Sequence, residues 1–169
     1  MPATFYAAAV VAVAATALAI SRKNAVHGLL YLIVSLLAVA LMFFAVGAEF
    51  VAALEVIIYA GAIMVLFVFV MMLLNLGPQS VAQERRWLPR RIWAGPLVLT
   101  AVLIAELIYG LASAGPTPAG AAIATAIDPL HVGVALFGPY AAAVEIASML
   151  LLAGLIGAYH LGRSPGERS

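Results

Sequence analysis

Cysteine is absent from this 169-residue sequence, and charged residues are scarce. The lack of cysteine excludes disulfide frameworks, iron–sulfur clusters held by thiolates, thiolate zinc sites and cysteine nucleophiles. Asp, Glu, Lys and Arg make up only 9% of the residues, whereas an ordinary globular domain is about one quarter charged. The net charge of +1 offers no basic surface to a nucleic acid. Because 66% of the residues are hydrophobic, the composition predicts a surface that faces lipid.

Five apolar runs are each long enough to cross a bilayer, since about 20 helical residues span about 30 Å of hydrocarbon. They cover residues 3–20, 26–46, 50–75, 92–113 and 138–161. The runs are continuous and lack the alternating pattern of about ten residues that is typical of membrane β-strands. We therefore expect an all-α integral membrane protein with five transmembrane helices, in one membrane domain over residues 1–169, with a loop at residues 114–137.

The basic residues indicate how the helices cross the membrane. All of them lie at alternate connections or at the carboxyl-terminal end: Arg22, Lys23, Arg85, Arg86, Arg90, Arg91, Arg163 and Arg168. The other connections carry only Glu49 and Asp128. By the positive-inside rule, the amino terminus and the loop at residues 114–137 lie outside, and the carboxyl terminus lies in the cytoplasm. Basic residues follow the first run instead of preceding it, which favours a retained helix over a signal peptide.

Three acidic residues fall inside the predicted helices, namely Glu55, Glu106 and Glu145. An acid near the middle of a membrane helix costs about 2.5 to 3.5 kcal/mol and often lies on an ion or proton path. All three are predicted roughly 7 to 11 Å below the outer border, so they are candidates for one polar layer. Glu55 has Tyr59 four residues on, where a phenol can donate to a carboxylate. For Glu106, which has no polar helical neighbour, a carboxyl group that simply reaches the border is favoured, and for Glu145 both interpretations stay open.

The third predicted helix is unusually long. Its 26 positions would measure about 39 Å as an ideal α-helix, so it must tilt, protrude or change its winding. Near its middle, Gly61 stands among Tyr59, Ala60 and Ala62. Small residues there permit either close helix packing or a local π-bulge. The run at residues 63–70 is most simply lipid-facing or packed apolar surface.

Three segments resemble one known family. The third helix, GAEFVAALEVIIYAGAIMVLFVFVMMLLN at residues 47–75, closely resembles that of subunit J of bacterial NADH–quinone oxidoreductase, the counterpart of mitochondrial NADH dehydrogenase subunit 6. Residues 24–27 followed by GLLYLIVSLLA are similar to the start of the family's second helix, although Ala25 stands where many members have proline. Residues 132–161, VGVALFGPYAAAVEIASMLLLAGLIGAYHL, are similar to its last helix.

The resemblance implies a non-catalytic membrane-arm subunit of respiratory complex I, a proton-translocating enzyme, in the inner membrane of a bacterium. Such a subunit has no catalytic, cofactor-binding or metal-binding residues of its own. NADH, FMN, iron–sulfur clusters and quinone are expected in the parent complex. The implied partners are the lipid bilayer and other membrane-arm subunits, especially those of the K, H, A and N types, and not nucleic acid.

The resemblance also implies roles for particular residues. In the family, the tyrosine and glycine that match Tyr59 and Gly61 mark a segment that switches between α and π winding. The switch is thought to connect or break a line of waters, and the surface at Val65 and Phe67 would admit or exclude that water. Glu145 matches an acid of the last-helix motif. Together with Glu55, these residues are the candidate proton path and gate.

Two other classes of protein remain as alternatives. The first alternative is a subunit of a related cation/proton antiporter or membrane-bound hydrogenase, whose subunits share similar helices. A self-contained small transporter or channel is the third interpretation. The sequence has no internal repeat and no pair of broken helices of the kind that many transporters show.

Overall fold

The computed structural model describes residues 2–22, 24–74, 93–113 and 128–162. Over these ranges the chain is helical and contains no strand. The elements are α1 Pro2–Ser21, α2 Ala25–Ala45, α3 Glu49–Leu54, a π-helical segment Glu55–Ile63, α4 Met64–Leu74, α5 Ala94–Ser113, α6 Pro129–Phe137 and α7 Ala141–Gly162. Here α3, the π-helical segment and α4 form one continuous rod, the third spanning helix.

Five helices in the described ranges are long and apolar enough to cross a membrane. They are Ala3–Ser21, Ala25–Ala45, Glu49–Leu73, Ala94–Ala112 and Ala141–Gly162. The prediction of an all-α protein with five transmembrane helices is therefore confirmed. Lys23 and the basic residues within residues 85–91 and 163–168, on which the predicted orientation depends, lie outside the described residues.

The end of α2 explains how the chain reverses into the third spanning helix. Gly47 has φ +83°, a left-handed conformation that glycine adopts without a Cβ penalty. Its N–H donates to the carbonyl of Phe44 (3.0 Å), and the N–H of Ala48 donates to that of Phe43 (3.0 Å). This pair of bonds is the Schellman motif, which satisfies carbonyls that the helix leaves free. A three-residue turn thus separates α2 from α3.

A core of small and branched side chains holds α1, α2 and α5 together. Its buried members are Ala8, Val11, Ala12, Ala15, Val34, Ala38, Leu41 and Leu103. Helices in lipid associate through close van der Waals packing, because lipid tails are as apolar as the side chains. The alanines of α1 and α2 allow that approach.

One polar contact crosses this core. The hydroxyl groups of Thr16 and Ser35 are 2.7 Å apart, and the Ser35 hydroxyl also donates to the backbone carbonyl of Ala12 (3.1 Å). Ser35 is buried, with 6% of its surface exposed. Hydroxyl groups that bond across membrane helices act as specific links between them.

Ser35→Ala is expected to weaken the packing of α1 on α2 by about 0.6 kcal/mol, the average measured for such links, and by no more than about 1.7 kcal/mol. The temperature at which the chain aggregates when its membranes are heated measures this loss. Ser21→Ala is the matched control, because the exposed Ser21 hydroxyl donates only to Ala17 of its own helix. Equal aggregation temperatures for both variants would show that the Ser35 link contributes nothing.

An aromatic contact sets α5 against α2. Tyr31 is 3% exposed, and its phenol group lies directly against the backbone of Gly95. The guanidinium of Arg22 lies 5.1 Å from the centre of the Tyr31 ring, and the His27 ring lies 5.0 Å from it on the same helix. The basic end of the α1–α2 pair is therefore tied to the start of α5.

Residues 128–162 belong to a second compact unit of the chain. Asp128 caps α6, since its carboxylate accepts from the N–H of Leu130 (3.3 Å), and Pro129 occupies the first helical position, where its missing N–H costs nothing. Residues 129–137, within the predicted loop, are thus helical. The last spanning helix begins at Ala141, three residues later than expected, because the chain breaks at Gly138, where a Cβ would lie only 2.7 Å from the carbonyl oxygen of Val134.

Candidate site in the third spanning helix

The winding of the third spanning helix changes along its length. At the start of the π-helical segment, the N–H of Glu55 donates to the carbonyls of Val51 and Ala52, so α-helical bonding is still present. At its end, the N–H of Met64 donates to the carbonyl of Tyr59, five residues back, as well as to that of Gly61. A bond over five residues is the signature of π winding, which is rare and is frequently found at functional sites.

Gly61 lies where this winding leaves little room. A Cβ built at residue 61 would lie 3.1 Å from the carbonyl oxygen of Val56, closer than ordinary van der Waals contact. The two residues are five apart, the spacing of a π-helical bond. The absence of a side chain at Gly61 therefore suits the observed winding.

The other candidates on this helix lie on both sides of Gly61. Glu55 is half-buried, whereas Tyr59 is 48% exposed, and Val65 and Phe67 are each 49% exposed. In the described part of the chain, no hydrogen bond joins the Glu55 carboxylate to the Tyr59 phenol. The exposed tyrosine, valine and phenylalanine are available to lipid or to another membrane protein.

Glu106 and Glu145 lie on different helices and in different surroundings. Glu106 on α5 has one carboxyl oxygen that is buried and without a hydrogen-bond partner in the ranges described. Glu145 is exposed on α7, about 6 Å along that helix from Ala141. The Ser148 hydroxyl donates to the backbone carbonyl of Glu145 (2.7 Å), so it does not satisfy the carboxylate.

No group of three or more His, Asp or Glu side chains that could hold a metal ion occurs among the residues that the structure describes. Glu55 and Glu106 are single carboxylates that lie within two different spanning helices. A lone carboxylate in a helix can carry or relay a proton but cannot complete a metal site.

The structure also shows a groove that the sequence did not indicate. It has a volume of about 430 Å³, is partly open, and lies among α2, the start of the third spanning helix and α5. We call it the α2–α3–α5 groove, and its walls are formed by Leu37, Ala40, Leu41, Phe44, Glu49, Ala52, Ala53, Val56, Thr100, Leu103, Ile104 and Leu107. Glu49 is the single charged residue among them.

These features define a polytopic α-helical membrane protein with π winding in its third spanning helix. A sequence profile of the family described as NADH-ubiquinone/plastoquinone oxidoreductase chain 6 matches residues 15–161. The chain belongs to this family, which confirms the resemblance seen at residues 47–75.

Individual relatives are similar over almost the whole chain. NADH-quinone oxidoreductase subunit J of Pseudomonas aeruginosa is 58% identical over 165 residues, which are 97% of this chain and 98% of that protein. The subunit J of Escherichia coli strain K12 is 50% identical over 159 residues, 94% of this chain and 85% of its own length. That of Buchnera aphidicola subsp. Schizaphis graminum is 46% identical over 159 residues, 94% of this chain and 96% of its own length.

Proposed function

We propose that this chain serves as a J-type membrane subunit of a proton-translocating NADH:quinone oxidoreductase and helps couple quinone reduction to proton pumping. The observation that carries the proposal is the 58% identity to a subunit J over 97% of the chain. Identity at this level over nearly the whole length supports a shared fold and shared assembly surfaces. The chain contributes no complete active site of its own to the reaction.

The assembly that this proposal implies supplies what the chain lacks. NADH, FMN, iron–sulfur clusters and quinone belong to other subunits of the complex. Within the membrane arm, the K-, H-, A- and N-type subunits are the proposed neighbours. Every residue of α7 is exposed, which supports contacts of this kind, because the apolar surface of a membrane helix packs on lipid or on other helices.

The proposed setting is the inner membrane of a bacterium, with the amino terminus outside and the carboxyl terminus in the cytoplasm. The basic residues support this orientation, since the connections on the outer side carry only acidic charges at Glu49 and Asp128. The loop predicted at residues 114–137 would then lie outside, with α6 at its end. All 169 residues would belong to one membrane subunit.

The coupling role rests on the third spanning helix. The hydrogen bonds that are typical of π winding join residues five apart, whereas those of α3 and α4 join residues four apart. Returning the segment to α winding, which has fewer residues per turn, would rotate α4 relative to α3 by a fraction of a turn. Val65 and Phe67, which follow the segment, would then face different surroundings. An apolar constriction that moves in this way gates a line of waters by dewetting.

Glu55, Tyr59 and Glu145 are the proposed proton-carrying groups beside this gate. A carboxylate in a membrane helix is costly unless it serves a path for ions or protons. The exposure of Tyr59 and Glu145 supports roles in contact with water or with a neighbouring subunit. Glu106 stands apart from the family's matched segments and has no proposed role in coupling.

Copurification tests the proposal. The chain, tagged at its carboxyl terminus and extracted in a mild detergent, should bring with it an assembly that contains flavin and iron–sulfur proteins and that reduces quinone with NADH. A stable assembly without those proteins would overturn the proposal, and antiporter or hydrogenase subunits in it would favour that alternative. Ion conduction by the chain alone in liposomes would favour a self-contained transporter instead.

A further inference from the structure

The α2–α3–α5 groove has a regular construction. Each of its three helices contributes four residues at positions i, i+3, i+4 and i+7, which lie on one helix face. They are Leu37, Ala40, Leu41 and Phe44 of α2; Glu49, Ala52, Ala53 and Val56 of the third spanning helix; and Thr100, Leu103, Ile104 and Leu107 of α5. Three faces of the same length thus enclose one elongated space.

The groove runs along the axes of its helices. Tyr31 contacts Gly95, and Leu41 belongs to the same core cluster as Leu103, so α2 and α5 run in parallel. Phe44 and Leu107 therefore lie at the same end as Glu49, which follows α2 after a three-residue turn. Seven positions on each helix correspond to a depth of about 10 Å. The groove thus begins at Glu49, the first residue of the third spanning helix, and its depth is about one third of the roughly 30 Å that a bilayer core measures.

These dimensions favour one kind of occupant. A partner's transmembrane helix needs a seam along most of the bilayer, and the groove ends at Val56. A quinone head group carries carbonyl oxygens, which accept hydrogen bonds, as does the carboxylate of Glu49. An acyl chain fits an apolar space that is about 10 Å deep and partly open. Its volume of about 430 Å³ is within the range of about 300 to 1,000 Å³ that is typical of small-ligand sites.

The charge at the opening selects the head group. Glu49 is exposed, is the first residue of α3, and is the single charged residue of the groove walls. At this level of the membrane, an anionic head group would be repelled, whereas an ammonium group can donate to the carboxylate. We propose that the α2–α3–α5 groove binds one acyl chain of an aminophospholipid, with the lipid's ammonium group paired to Glu49. This site is separate from the coupling role proposed above.

The test uses the tagged chain in its own assembly in native membranes. Phosphatidylethanolamine and phosphatidylglycerol, each with the same diazirine-bearing acyl chain, are added and irradiated. Crosslinks to this chain are then mapped and counted per mole of chain. Wild type should crosslink within residues 37–44, 49–56 and 100–107, with more phosphatidylethanolamine than phosphatidylglycerol.

Two substitutions separate the acyl site from the head-group site. Ala53→Phe fills the groove and should lower crosslinking there by about tenfold, since the phenyl ring leaves too little room for the lipid's acyl chain. Ala101→Phe, at an exposed position of α5 outside the groove walls, should leave it unchanged. Glu49→Gln should keep the crosslinks but lower the preference for phosphatidylethanolamine by about threefold, the size typical of an ion pair at a wet surface.

Several results would overturn the proposal. Equal crosslinking in Ala53→Phe and Ala101→Phe would assign the labels to bulk lipid. A photoreactive residue at position 104 that captures another protein in wild-type membranes would assign the groove to a partner helix. If Ala53→Phe fails to accumulate, Ala53→Leu fills less space, and an unchanged yield in that variant counts against the site. Loss of the flavin and iron–sulfur proteins from the assembly would contradict the proposed function without changing these crosslinks.

Discussion

Gly61→Val is expected to lower proton pumping and NADH-driven quinone turnover about tenfold, while the amount of assembled complex stays near that of wild type. A Cβ at residue 61 would lie 3.1 Å from the carbonyl oxygen of Val56, and valine adds two methyl groups on that carbon. Crowding of this kind costs about 1 to 3 kcal/mol, and 1.4 kcal/mol corresponds to tenfold in an equilibrium. The substitution therefore shifts the segment away from π winding. Proton uptake by membrane vesicles, per mole of assembled complex, is the measurement.

Ala62→Val is the matched control for this experiment. It adds the same two methyl groups one residue further on, at an exposed position of the π-helical segment. We expect that variant to keep most of its pumping activity. If Gly61→Val lowers assembly and turnover by the same factor, or if both variants lose activity equally, Gly61 has a packing role and the winding change is not part of coupling.

Much of the fold follows from the sequence because lipid imposes a simple rule on it. A backbone that crosses the bilayer must satisfy its own hydrogen bonds, so each long apolar run becomes a helix. The five runs therefore predict five spanning helices. Ends are harder to place, since they depend on local bonds. The Gly138 break, three residues before Ala141, has no hydropathy signal, because the residues on both sides of it are apolar.

The sequence could not show which face of each helix packs against its neighbours. In a soluble protein, polar residues mark the face of a helix that meets water. In α2 and α5 nearly every residue is apolar, so the periodic pattern of Leu37 and Phe44 on one face is hidden by equally apolar residues on the others. The groove forms only where the three helices pack together, so no single helix predicts it. Glu49 was predicted as a residue of a connection, and its position at the groove opening required the tertiary structure.

The candidate site on the third spanning helix could likewise be predicted only in part. Gly61 stood out in the sequence because glycine is costly inside a helix and invites a local explanation. The hydrogen bond from Met64 to Tyr59, by contrast, depends on the conformation of the whole third spanning helix. The sequence thus indicated where a change in winding is permitted, and the structure shows which bonds form there.

Gly95→Ala is expected to lower the amount of chain found in the assembled complex severalfold, although alanine is the better helix former. A Cβ at residue 95 would overlap the phenol oxygen of Tyr31 and lie 3.0 Å from the ring carbon that bears it. Tyr31 is 3% exposed and is confined by His27 and Arg22, so it has little room to move. Overpacking of about 1 to 3 kcal/mol exceeds the gain of roughly 0.5 to 1 kcal/mol from replacing a helical glycine. Quantitative immunoblots of the complex on native gels measure the loss.

Gly110→Ala separates this contact from a general effect of glycine in α5. A Cβ at residue 110 would meet nothing within 4 Å, so this control should gain the helical preference of alanine and assemble at least as well as wild type. Adding Tyr31→Phe to Gly95→Ala removes the overlapping oxygen and should restore part of the loss, with the remainder due to the ring. If Gly95→Ala assembles as well as Gly110→Ala, the Tyr31 contact does not hold α5 in place. In that case the core around Leu103 would have to supply the attachment of α5 to α1 and α2.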